Sequence, residues 1–135
     1  MKRAALALSA WLAACFAAQA ETCLVRDERP MVEAQLFFGR EIDGRGPVTK
    51  TEWSDFTANV IAKKFPDGFT VTDGEGSWRD PESKAAVQED SKIVLIVAKP
   101  SHDLAAKLDD VIATYKSRFR QHSVGLITRS VCAAF

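Results

Sequence analysis

Few residues in this chain have the types and spacing that chemistry needs, and residues 65–80, FPDGFTVTDGEGSWRD, hold most of them. The stretch carries three glycines, the two acids of DGEG, a Trp and an Arg. A phosphate-binding glycine loop gathers backbone N–H groups at the start of a helix. Gly74 and Gly76 are followed instead by Trp78 and a polar run. A calcium loop needs acids at further fixed positions, and DGEG does not continue in that way. The stretch reads better as a strand with an irregularity. Phe69 and Val71 alternate onto a core face, and further alternation would put Asp73 and Glu75 on that same side, a costly burial for unpaired acids. Glycine in a strand often marks a bulge that re-aims the chain, so a kinked strand is expected here.

Other candidates are scattered. In an enzyme without a cofactor, Arg40, Asp73, Trp78 and Arg79 would be the catalytic candidates, with His102 a weaker one, because an acid in an apolar cavity can be tuned into a general base. Ordinary solvation at strand ends is the favoured reading of both arginines. A buried Asp73 with a raised pKa would favour catalysis, and an exposed, hydrogen-bonded Asp73 would favour a binding or structural role. Ser101 and His102 are adjacent, but Ser101 reads as a helix cap and His102 as an exposed residue of the first turn. His122 reads as a solvated connector. Spacing alone leaves a triad open, since its members meet in space. Two cysteines far apart, Cys23 and Cys132, with the two histidines elsewhere give no metal-ligand spacing, and neither metal nor cofactor is expected.

The elements that position these residues follow from periodicity. Residues 21–31 read as a polar arm, and VEAQLFFGREI as a strand that stops near Gly39. Thr49 and Glu52 form a capping box for a helix whose Trp53, Phe56, Val60 and Ile61 face a core. Pro66 forces that helix to end by Phe65, and Pro66-Asp67-Gly68 is turn chemistry. A strand over 69–78, a polar loop DPESKAAVQED and the apolar strand KIVLIVA come next. A second helix follows with an apolar stripe at Leu104, Leu108, Val111, Ile112, Tyr115 and Phe119. SVGLITRSVCAAF is the last strand. The order predicts an α+β, ferredoxin-like βαββαβ fold, a four-stranded antiparallel sheet with two helices on one face.

The first twenty residues, MKRAALALSAWLAACFAAQA, combine a basic start, an apolar run too short to span a bilayer and a small-x-small end at Ala18-Gln19-Ala20. They predict a signal peptide over 1–20 and a single domain over 21–135. A second processing site competes: Leu12-Ala13-Ala14-Cys15 resembles a bacterial lipobox, and lipidation of Cys15 would anchor the domain to a membrane. Soluble export to the periplasm or medium is the favoured reading. The whole chain has 18 basic and 18 acidic residues. Loss of Lys2 and Arg3 with the leader would leave the mature chain at a net charge of −2. That balance leaves no footprint for nucleic acid. In an oxidising compartment Cys23 and Cys132 would pair. The topology supports this, since it sets the start of the first strand beside the end of the last. The alternative is two unpaired small hydrophobes.

QLFFGRE, EWSDF, FPDGFTVTDGEGSWR, SKIVLIV and YKSRFRQHSV, in this order with a Cys shortly before the end, resemble a family of small exported bacterial proteins, often labelled lipoproteins and known only as a domain of unknown function. The resemblance covers roughly Cys23 to Phe135. It implies location and boundaries, and brings no activity and no catalytic residue.

A ferredoxin-like sheet leaves one face without helices. Ile93, Leu95 and Val97 point one way and Val94 and Ile96 the other, with Phe37 opposed to Leu36 and Phe38, so the helix-free face is also apolar at its centre. Such a patch marks an interface or a ligand cavity. The expectation is a homodimer packed sheet on sheet. Its role would be a non-catalytic binding or envelope-interaction domain, for a small apolar ligand or an envelope protein. The alternative is a small cofactor-free enzyme of the dimeric α+β barrel type, monooxygenase- or isomerase-like.

Overall fold

The computed structural model describes residues 23–79 and 83–135, so the leader and Cys15 lie outside the described residues. Four strands and two helices follow in the expected order: β1 (Arg29–Gly39), α1 (50–64), β2 (Thr70–Arg79), β3 (Ala86–Ala98), α2 (Leu104–Phe119) and β4 (Gly125–Ala133). The strands form one antiparallel sheet in the order β2-β3-β1-β4. This is the ferredoxin-like arrangement, with the first and last strands as neighbours. Pro30 lies opposite Cys132, and the disulfide Cys23–Cys132 closes across that end with a Cα–Cα distance of 5.6 Å.

α1 starts where its capping box places it. The Thr49 hydroxyl accepts from the Glu52 N–H, and the Glu52 carboxylate accepts from the Thr49 N–H at 2.9 Å. Arg45 adds a two-pronged contact to that carboxylate at 2.7 and 2.8 Å. Together these hold the Glu52 carboxyl down at about 2. Trp53 and Phe56 are buried, and the next buried residue is Ile61. Ile61 follows Phe56 by five positions because Thr57–Ile61 is a π-helical turn, in which the Ala62 N–H reaches back to Thr57 O. The extra residue puts Ile61 inward where an α-turn would have put Val60, and Val60 is left half-buried.

α2 buries Leu104, Leu108, Val111, Tyr115 and Phe119, the expected stripe except for a half-buried Ile112. Ser101 does not cap it. The cap position is Asp103, whose carboxylate makes no cap bond. Lys107 and Ser101 bind that carboxylate instead and lower its pKa to about 2. Against the helices the sheet presents Ala34, Leu36, Phe38, Val94 and Ile96. Phe38 sits edge-on to Trp53, Phe56 and Tyr115, with ring centroids at 5.5, 5.8 and 4.7 Å. The Tyr115 hydroxyl donates to Gly39 O at 2.9 Å, and burial pushes its phenol well above the usual range.

Two local expectations are corrected. DGEG is not kinked: Thr70↔Leu95 through Arg79↔Ala86 pair in one unbroken register. The second part of the polar loop, residues 86–90, is strand, since β3 begins at Ala86. β1 makes its last pair at Gly39↔Ser91, so residues 75–79 and 86–90 continue as a two-stranded ribbon beyond the four-stranded sheet.

Candidate functional site

The sequence candidates do not converge. Arg40 is a clamp: its guanidinium donates to Val48 O at 3.2 and 2.8 Å, and Val48 N–H returns a bond to Arg40 O at 2.7 Å. This closes the loop that leads into α1. Its longer contact, 3.7 Å, goes to Asp90. Asp73 lies on the helix side of β2, as alternation requires, yet its side chain is 79% exposed. It pairs with Lys92, its cross-strand neighbour. Lys92 lowers the Asp73 pKa, so Asp73 is ionised and solvated, the opposite of a buried general base. Trp78 and Arg79 lie at the far end of the ribbon, where Arg79 donates to Lys84 O at 3.2 Å. His102 is exposed before α2, at the other end of the molecule. His122 and Asp43 face each other at 3.7 Å, both almost fully exposed.

Among the described residues, the His, Cys, Asp and Glu side chains that gather ligand atoms are those of Cys23, Glu28 and Cys132, within 4.8 Å of one another. Both sulfurs are spent in the disulfide, and a metal site needs thiolates.

The register defines a better candidate, the face that the helices leave open. β1 contributes Met31, Glu33, Gln35 and Phe37, and β3 contributes Ile93, Leu95 and Val97. β4 adds Ile127 and Val131. Trp78 and Val87, paired across the ribbon, continue the same side. Ile127 is 55% and Trp78 45% exposed. The charges on this face include a pair that is matched within the chain, Arg129 donating to Glu33 at 2.7 Å.

One acid on this face was missed in the sequence. Glu89 lies opposite Gly76 and folds its carboxylate over Gly39, where a Cβ would lie 2.7 Å from Oε1. Partial burial raises its pKa, the nearby Glu41 charge adds to this, and a bond from the Glu41 backbone opposes it. With 80–90 read as loop, Glu89 had no face. The visible signal was the period-two run Val87, Glu89, Ser91, Ile93, which extends KIVLIVA backwards.

At the opposite end of the face, a cleft of about 700 Å³ opens between the starts of β1 and β2 and the ends of β3 and β4. Met31, Leu95 and Val97 line it, together with Phe135.

The family "Protein of unknown function (DUF3574)" matches residues 33–135, and the chain belongs to it. No curated protein matches the sequence significantly. The fold is similar to that of a phage SAM lyase in complex with S-methyl-5'-thioadenosine, at a TM-score of 0.61 and 16% identity over 78% of this chain and 90% of the lyase. The phage SAM lyase in its apo state gives a TM-score of 0.57 and 14% identity over 86% of this chain and 97% of the lyase. At these identities the likeness is one of fold.

Proposed function

We propose that this DUF3574 member is an exported, non-catalytic binding domain that pairs with a second copy of itself through the helix-free face of its sheet. The carrying observation is the apolar side chains this face shows beyond the cleft, Phe37, Ile93 and Ile127 at its centre and Val87 and Trp78 on the ribbon, with Ser91 and Glu89 between the two groups. A two-stranded ribbon is marginal in water by itself, and this one projects with its Trp half-exposed. Large aromatic side chains are favoured anchors at interfaces. Because Glu33 and Arg129 neutralise each other inside one chain, two such faces can meet without an unpaired charge from that pair between them. A two-fold axis uses the same patch twice, and the near-zero net charge opposes self-association little. The Cys23–Cys132 disulfide supports an oxidising compartment. The intact mass of protein from its host would distinguish cleavage after Ala20 from lipidation of Cys15.

Light scattering at micromolar concentration tests the pairing. The expected result is twice the chain mass, with Trp78→Asp converting the protein to monomer while its circular dichroism stays unchanged. A wild-type protein of monomer mass at all concentrations would remove the reading.

A second reading, a small cofactor-free enzyme, is supported by the fold likeness to the phage SAM lyase and by the half-buried Glu89. The ion-paired, exposed Asp73 weighs against it. Release of S-methyl-5'-thioadenosine from SAM by the purified protein, lost in Glu89→Gln, would favour the enzyme. No release would leave the binding domain.

A further inference from the structure

The cleft at the disulfide end of the helix-free face differs from the rest of that face in its charges. Its floor is apolar: Met31 from β1, and Leu95 and Val97 from β3. Arg29 and Lys99 line it as well. Alternation along β1 and past the end of β3 puts both on the helix-free side with Met31 and Val97. Two acids complete the charged part of the lining: Asp27, just before β1, and Asp67, in the turn after α1.

Most other charged groups near structured parts of this protein have partners. Lys64 pairs with Asp110, Lys92 with Asp73, Lys107 with Asp103, Arg118 with Asp55 and Arg129 with Glu33. Among the described residues, none of Asp27, Arg29, Asp67 and Lys99 makes an ion pair or a side-chain hydrogen bond. So two cations and two anions line one concave space with an apolar floor and do not satisfy each other. The volume, about 700 Å³, is in the range of small-molecule sites, which combine apolar walls with a few convergent polar groups.

From this we infer that the cleft is a binding site for a small zwitterion with an apolar body: a free α-amino acid with a large apolar side chain. Arg29 and Lys99 receive the carboxylate, Asp27 or Asp67 receives the ammonium, and Met31, Leu95 and Val97 receive the side chain. A purely anionic or purely cationic ligand would meet charges of its own sign on one wall. An uncharged apolar ligand would leave all four groups without partners. The inference rests on the binding reading above and assigns it a ligand class.

Titration of ¹⁵N-labelled protein with L-phenylalanine or L-leucine tests the site. The expected result is amide shifts centred on Met31, Leu95 and Val97. Phenylacetate, phenethylamine and N-acetyl-phenylalanine amide each remove one or both charges, and should bind at least roughly 10-fold more weakly, as loss of a charge-assisted contact requires. Arg29→Ala should weaken phenylalanine by a similar factor and leave phenethylamine unaffected, while Asp27→Asn with Asp67→Asn should do the converse with phenylacetate as the control. These are exposed positions, so the variants should fold. Equal binding of all four probes, absence of binding at millimolar concentration, or shifts centred on Glu89 would overturn the assignment. A dimer that binds no probe would refute this site and leave the paired sheets. A monomer that binds phenylalanine would do the reverse.

Discussion

Removing the disulfide should cost about as much stability as the most damaging core truncations. Cys23 and Cys132 are 109 residues apart, so the bridge closes almost the whole described chain into one loop. In the chain-entropy model a loop of about 110 residues removes roughly 16 cal/mol/K from the unfolded ensemble, or about 4.8 kcal/mol at 25 °C. The native contribution runs the same way but is small. The arm before β1 is otherwise held by short local bonds, Glu28 N–H to Val25 O at 3.3 Å and Val25 N–H to the Glu28 carboxylate at 3.0 Å. At about 2.1 cal/mol/K per residue for roughly 110 residues, unfolding entropy near the midpoint is about 0.23 kcal/mol/K, so the Tm should fall by about 20 °C. Calorimetry on the wild type and on Cys23→Ala/Cys132→Ala would measure this. The reduced wild type should melt with the double variant, since both unfold to the same open chain. At 15 °C the far-ultraviolet circular dichroism should be unchanged, because Pro30↔Cys132 and the rest of the β1–β4 register do not depend on the bridge. A loss under about 1 kcal/mol, or two free thiols in protein purified from its host, would refute the argument.

Two further outcomes follow from side-chain geometry. Gly39→Ala should destabilise by about 1–2 kcal/mol, because the new Cβ displaces the Glu89 carboxylate and its bond from the Glu41 backbone. In a Glu89→Ala background the same change should be neutral or stabilising, since alanine is better than glycine within a strand; urea titrations giving equal costs in both backgrounds would contradict this. Acid should weaken the fold through the paired carboxylates: Glu52 and Asp103 are held at about 2, below their unfolded values near 4. Their contribution is therefore complete above about pH 4.5 and is lost as pH falls towards about 2. Glu52→Gln should flatten the Tm–pH slope in that window, and an unchanged slope would remove Glu52 from the account. Glu89 has the opposite sign: its raised pKa means that stability is lost as pH rises through the folded value.

What the sequence conveyed and what it hid have one physical origin. Periodicity reports which face of an element a residue occupies. That was enough to predict the strand order, the capping box at Thr49 and Glu52, the α2 stripe and the meeting of Cys23 with Cys132. Periodicity does not report how far the opposite layer extends. Asp73 and Glu75 fall on the helix side by simple alternation, and the burial this implied made a bulge at Gly74 and Gly76 look necessary. No bulge is needed, because the helices do not reach them. The 16 residues of α2 span about 24 Å at 1.5 Å each. The 13 residues of β3 span about 44 Å at 3.4 Å each. A strand pair of that length must outrun its helices, and whatever lies on the overhang is solvated on the helix side whichever way alternation points it. The glycines then answer to the other face. A Cβ at Gly74 would come within 3.0 Å of Ile93 Cδ1 and Ser91 Oγ, and one at Gly125 within 3.2 Å of the Phe37 side chain. They let large neighbours lie flat on the open side of the sheet. So DGEG, which looked like an active-site loop or a kinked strand, is regular strand: its acids point to the helix side beyond the helices' reach, and its glycines leave room for Ser91, Ile93 and Glu89 on the open face. That is a further reason to look for the function of this protein on the helix-free face.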